Sequence, residues 1–329
     1  MRPFTYARAR NLDDALAAAG EPGTTVLAGG TELLNWLRLG IAAPDRVLDI
    51  TRVAGLDRIE SLPGGGLRIG ALVKLNDVAA DERVAHRWPV LGEAIHKSAS
   101  AQLRNLATIG ANLLQKTRCP YFRSADPTPC NRRVLGSGCA ALRGRDEGHA
   151  LFGWTDDCIA TQPSDPAVAL AALDAHVLTR SAAGSRRIAV TDFHVLPADG
   201  VDHDTVLERG ELIEAIELGQ PAPRSAYVKV RGRESYEYAL VSAAATVKLG
   251  NGGRIDSARI ALGSVALRPW RLTEAERRIR SLAPEDPAVT GAIDAGLAQA
   301  RPVSGSAYKL AIARGAARRA LTTAAGARS

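Results

Sequence analysis

Cysteine is absent from most of this chain: no thiol precedes Cys119 and none follows Cys158, although the sequence runs to 329 residues. Aromatic residues are scarce, at 4% of the total, and methionine occurs once. No stretch approaches the roughly 20 consecutive apolar residues that a membrane span needs, and the opening MRPFTYARARNLDDALAAAGEPG lacks an apolar run of signal-peptide length. Neither an anchor nor an export signal is expected from this chain. Scarce aromatics and scattered arginines also argue against a nucleic-acid binder, despite a net charge of +7 and a pI near 9.5. A solvated basic face, or a docking face for an acidic partner, fits the charge better.

What the chain does have is four cysteines in one stretch, Cys119, Cys130, Cys139 and Cys158. Pro120, Pro127, Pro129, Gly136 and Gly138 lie between them, and no apolar periodicity there is long enough to hold the segment by packing. Closing a loop of about 40 residues costs about 3 kcal/mol of chain entropy. A structural metal offsets that with about 10–16 kcal/mol. Four thiolates suit zinc or an iron-sulfur cluster. The gaps of ten, eight and eighteen residues differ from the close pairs of zinc sites and lean towards a cluster. Two disulfides, or four separate buried thiols, are the alternatives. Gly136-Ser137-Gly138-Cys139-Ala140-Ala141 fits a dinucleotide fingerprint, but no apolar strand precedes it, so it is set aside.

Along the chain, Asn11 reads as the cap of a short helix ended by Gly20, and TTVL, Gly29-Gly30 and a helix around Leu33 and Leu37 read as strand, turn and helix. Adjacent glycines let backbone amides approach a phosphate, although plain turn geometry explains them as well. Thr108-Ile109-Gly110-Ala111-Asn112 is a second small-residue turn, able to form the other half of a dinucleotide cradle. Further helices are expected around Asn76 to Arg83 and Pro89 to Ala99. Asp165 reads either as a helix cap or as a carboxylate for a cofactor hydroxyl. From Pro221 the pattern changes to long strands, with Asn251-Gly252-Gly253 as a hairpin turn, and then to three helices.

Together AGGTELL at 28 to 34, TIGAN at 108 to 112, QPSDPAVAL at 162 to 170 and YVKVRGRESYEYALVS at 227 to 242 resemble the FAD-binding subunit of the xanthine dehydrogenase family of molybdenum hydroxylases. With RCPYFR, PCNRR and GSGCAAL, the chain is most similar to the FAD and [4Fe-4S] subunits of periplasmic aldehyde oxidoreductases, and more distantly to the flavoprotein subunit of 4-hydroxybenzoyl-CoA reductase.

The resemblance implies an α+β fold: a vanillyl-alcohol-oxidase-type FAD-binding domain of two lobes, at 1–58 and 59–219, with an iron-sulfur loop at 116–160. A C-terminal α+β domain typical of carbon monoxide dehydrogenase flavoproteins follows at 220–329. It implies FAD held by Leu27, Ala28, Gly29, Gly30, Thr31, Glu32, Leu33 and Leu34, by Thr108, Gly110 and Asn112, and by Asp165. Tyr227 and Lys229 would approach the flavin ring, and the four cysteines would ligate [4Fe-4S]. The implied activity is electron transfer within a heterotrimer. A molybdenum-cofactor subunit oxidises an aldehyde to a carboxylate, a small subunit passes electrons through [2Fe-2S] clusters, and this chain hands them to an external acceptor. The implied compartment is the periplasm, reached with a signal-bearing partner, with the cytoplasm as the alternative. Another molybdenum hydroxylase, or a zinc-stapled scaffold, is the competing reading.

Overall fold

The computed structural model describes residues 1–326; the end of the expected C-terminal unit, 327–329, lies outside the described residues. Three sheets organise the chain. The first is parallel, with β1 (Thr5–Arg8) and β2 (Thr24–Leu27) flanking β3 (Arg46–Asp49). Between β1 and β2 runs the helix Leu12–Ala19, whose first free amide is satisfied by Asn11 Oδ1 accepting from Asp14 N at 2.8 Å.

The second sheet is antiparallel, in the order β4 (Ile59–Ser61), β5 (Leu67–Gly70), β8 (Leu212–Leu218), β6 (His176–Ser181), β7 (Gly184–Ala189). Helices at Leu75–Ala80, Glu82–Arg87, Pro89–His96 and Asp165–Ala172 bury its inner face, with Trp88, Leu91 and Ile95 fully enclosed. The single helix expected around 76–83 is in fact two. Asp81 ends the first and caps the second, accepting from Arg83 N at 2.9 Å.

The third sheet runs β12 (Trp270–Arg271), β11 (Ile255–Gly263), β10 (Val241–Leu249), β9 (Ser225–Val230), all antiparallel. The hairpin joining β10 and β11 turns at Asn251–Gly253 with Gly252 and Gly253 at φ of 71° and 73°. The helices Thr273–Arg278, Ala288–Leu297 and Tyr308–Ala325 cover one face through small residues such as Ala313, Ala317 and Ala320. The long strands expected from Pro221 onwards are interrupted at one place: residues 231–240 leave the sheet as an exposed loop containing Tyr236 and Tyr238. Three charged residues and a glycine in RGRE supply no alternating apolar face to hold a strand there. Among the described residues no helix is long and apolar enough to cross a membrane.

Candidate functional site

Turn 29–32 stands between β2 and the helix Leu33–Arg38, and it meets the second turn edge to edge. A Cβ on Gly29 would lie 2.0 Å from the carbonyl oxygen of Leu106, so only glycine lets the two backbones touch. Gly30 has φ of 73°, a left-handed geometry that side chains disfavour. Among the described residues the amides of Gly29, Gly30, Thr31 and Glu32 donate to no protein group, leaving a run of N–H donors around a left-handed glycine. Such a run is a nest for an anion.

The second turn is spent differently. Ile109 N donates to Val73 O at 2.9 Å and Gly110 N to Ala71 O at 3.0 Å, while a Cβ on Gly110 would lie 2.8 Å from that of Ala71. Gly110 therefore packs the helix Ile109–Leu113 against the second sheet. Thr108 caps that helix, and Asn112 Oδ1 accepts from Ser164 Oγ. Ser164, not Asp165, caps the helix that follows, accepting from Ala167 N at 3.1 Å, so the Asp165 carboxylate is not spent on the cap.

Between the turns lies a cleft with a cavity volume of about 80 Å³. Of the expected FAD residues, Gly29, Gly30, Thr31, Glu32, Thr108, Asn112 and Asp165 line it. Leu27, Ala28, Leu33, Leu34 and Gly110 do not line it. Leu33 packs with Leu37 and Val47 in the first lobe, and Leu34 points largely to solvent. Ser98, Ala99, Gln115, Arg118 and Tyr238 were not anticipated and do line it. The run Ser98-Ala99-Ser100-Ala101 was a legible small-residue signal. Arg118, adjacent to Cys119, reads from sequence as part of the cysteine loop.

Tyr227 and Lys229 stand one layer behind the cleft. Tyr227 Oη donates to Asp165 Oδ1 at 2.5 Å and Lys229 Nζ to Asp165 Oδ2 at 2.8 Å. Burial pushes the Asp165 carboxyl up, and the ammonium of Lys229 opposes that rise. Lys229 therefore holds Asp165 rather than facing the cleft. Lys229→Met is expected to cost about 3–5 kcal/mol by stranding a buried carboxylate. In that variant Asp165 binds a proton more tightly folded than unfolded, so the folded state is favoured at low pH. Its stability should fall as pH rises above the ordinary carboxylate range, more steeply than in the wild type, where burial already raises the Asp165 carboxyl in the same direction.

The cysteine loop has its own enclosure. All four cysteines border one small space, with a cavity volume of about 10 Å³, together with Arg132 and His149. All four thiols are free, so the pairing into two disulfides is not what the chain forms. Among the described residues no three His, Cys, Asp or Glu side chains come close enough to hold one metal ion, so the geometry by itself favours neither a zinc staple nor a cluster. Burial pushes the Cys119 thiol up to about 12 and the Cys158 thiol up to about 11, and raises Cys130. Backbone amides work against that rise, those of Tyr121 and Phe122 at Cys119 and those of Arg132 and Arg133 at Cys130.

Positive and donor groups face the same space. The Arg132 side chain is 4% exposed, pairs with Asp204, and leaves one N–H nitrogen without a partner. His149 Nε2 lies 3.3 Å from Cys119 Sγ, while its Nδ1 is buried and unpartnered. Polar ties also order the loop: Lys309 Nζ donates to Gly148 O, His149 O and Ser264 O, and Asn131 Nδ2 donates to Asp157 O at 3.1 Å. Something other than a hydrophobic core was expected to hold this loop, and these hydrogen bonds are part of what does.

The sequence matches the family described as the FAD binding domain in molybdopterin dehydrogenase over residues 2–221, and the CO dehydrogenase flavoprotein C-terminal domain over residues 225–324. Those two domains around this cleft define an FAD-carrying oxidoreductase flavoprotein. The chain is 44% identical over 317 residues to the aldehyde oxidoreductase FAD-binding subunit PaoB of Escherichia coli, covering 95% of this chain and 96% of that one. It is 30% identical over 278 residues to the glyceraldehyde dehydrogenase medium chain of Sulfolobus acidocaldarius, covering 84% and 80%. Solved quinoline 2-oxidoreductase from Pseudomonas putida 86 contains a chain that superposes with a TM-score of 0.76 at 26% identity, covering 99% of this chain and 98% of that one. This chain belongs to the molybdenum hydroxylase family, as its FAD-binding subunit.

Proposed function

We propose that this chain is the electron-transfer subunit of a heterotrimeric, molybdenum-dependent aldehyde oxidoreductase, binding FAD in the cleft and a [4Fe-4S] cluster in the cysteine loop. A molybdenum-cofactor subunit converts aldehyde to carboxylate, a [2Fe-2S] subunit relays the electrons, and an external acceptor receives them here. FAD supplies the exchange between one-electron and two-electron steps. The free amides of residues 29–32 bind the pyrophosphate, Thr108 and Asn112 hold the opposite wall, and Asp165, fixed by Tyr227 and Lys229, accepts from a cofactor hydroxyl. The three sheets support units at 1–58, 59–219 and 220–329. Periplasmic delivery alongside a signal-bearing partner is the compartment that the resemblance favours.

The observation that carries the cluster is that all four cysteines, Cys130 and Cys158 buried and Cys119 and Cys139 partly so, border one space with Arg132 and His149. The unpartnered guanidinium nitrogen and the histidine beside Cys119 suit a sulfur-rich anion, and hydrogen bonds to ligating sulfur are a recognised means of adjusting a cluster's potential. A single ion needs every sulfur about 2.3 Å from one centre. A cluster attaches each thiolate to a different iron and tolerates wider spacing. Protein co-purified with its partner chains, then separated, should yield one flavin and about four irons with matching sulfide per chain. Zinc in place of iron, or a flavin-free chain, would refute the assignment.

A further inference from the structure

Glu32 belongs to the cofactor turn, yet both of its carboxylate oxygens are taken by the cysteine loop. One accepts from Arg118, the residue before Cys119, and the other accepts from Arg123 at 2.9 Å, four residues after it. The second oxygen also accepts from Trp36 Nε1 at 2.7 Å, which fixes the carboxylate against its own helix. Arg123 is further held by its own loop, its Nε donating to Thr117 O at 2.9 Å and the Nη2 that meets Glu32 donating also to Lys116 O at 3.1 Å. The Glu32 and Arg123 side chains are 16% and 15% exposed, so solvent screens this knot far less than a surface pair.

Arg118 completes the connection. It lines the cleft, its guanidinium carbon lies 4.3 Å from the ring centre of Tyr238, and its Nε is buried without a partner. One carboxylate thus ties the backbone turn offering free amides, a cation on the cleft wall, and the segment that positions the first cysteine.

We propose that Glu32 is a positioning residue that couples the two sites, so that FAD in the cleft and order in the cysteine loop each favour the other. The inference rests on FAD occupying the cleft. A loosened loop withdraws Arg118 and Arg123 from Glu32, and the turn loses its fixed carboxylate. Coupling of this kind is reciprocal for binding equilibria.

The decisive variant is Arg123→Gln, because Arg123 lines no part of the cleft. In the full chain, FAD affinity measured by flavin fluorescence should weaken about tenfold, within the usual range of site-to-site coupling. Arg123→Lys, which keeps the charge, should recover most of it. The double variant with Glu32→Gln should bind FAD no more weakly than Glu32→Gln alone. FAD should also slow proteolysis within residues 119–158 of the wild type and do so much less in Glu32→Gln. Unchanged affinity in a folded Arg123→Gln, or additive losses in the double variant, would overturn the coupling. A wild type that fails to bind FAD at all would instead overturn the assignment of the cleft, and the coupling with it.

Discussion

Gly29→Ala is expected to yield a folded chain that purifies without flavin, its affinity reduced at least about a hundredfold, equivalent to about 3 kcal/mol. The added carbon would lie 2.0 Å from Leu106 O, 2.8 Å from Leu106 C and 3.1 Å from Ala107 Cα. All three are backbone atoms. No rotamer change relieves the overlap, so turn 29–32 must move away from the second turn. That displacement spreads the two walls of the cleft and carries the free amides of Gly29 to Glu32 off the anion they would meet. Gly30→Val acts at the same place by another route, since φ of 73° is strained for a β-branched residue. Gly315→Ala supplies the control: it lies in the helix Tyr308–Ala325 with nothing within 4 Å of its added carbon. That substitution should raise helix stability by up to about 1 kcal/mol and leave flavin content unchanged. Flavin absorbance per chain after gel filtration, together with FAD titration of the apoprotein, measures both. A yellow Gly29→Ala protein with wild-type affinity would mean that the cleft is not where FAD binds.

The features legible in the sequence are those whose cause is local. Asn11 caps a helix because its side chain reaches an amide three residues on, and Gly252-Gly253 turns a hairpin because few other residues accept positive φ. The paired small-residue turns were visible for the same reason. Their contact was not, because the approach of Gly29 to Leu106 depends on how segments far apart in the chain meet. Strand β7 was missed since GSRRIA is polar and exposed, paired on one side only to β6, and shows no apolar alternation. The place of Lys229 was misjudged for a related reason. Alternation along a strand says which face a lysine takes, but whether it meets a ligand or a buried carboxylate is decided by the helix beginning at Asp165, far away in the chain. Arg118 and Glu32 illustrate the same limit: each was assigned to its own motif, and the ion pair that joins the motifs spans 86 residues.

The cysteine segment gives the second large effect. Cys158→Ser is expected to reduce iron from about four per chain to below one, because a four-iron cluster lacking one of its protein ligands is poorly retained. Cys158 is 5% exposed and packs with Ala160, Val201 and Leu267, so the substitution barely changes the shape of the wall. If the four thiols were only core residues, the serine variant would lose about 1 kcal/mol of stability and nothing else would change. The cluster reading predicts more than that. Arg132, ion-paired with Asp204, is a buried cation beside the sulfurs, and removing a sulfur-rich anion leaves its free N–H facing an apolar space. The segment should then open, with proteolysis rising within residues 119–158 while the sheets on either side stay protected. Polar ties such as those of Lys309 should confine the opening rather than unfold the domain. Iron and sulfide quantitation beside a limited digest separates the two outcomes, since a structural thiol predicts no change in metal content and a ligand predicts its loss.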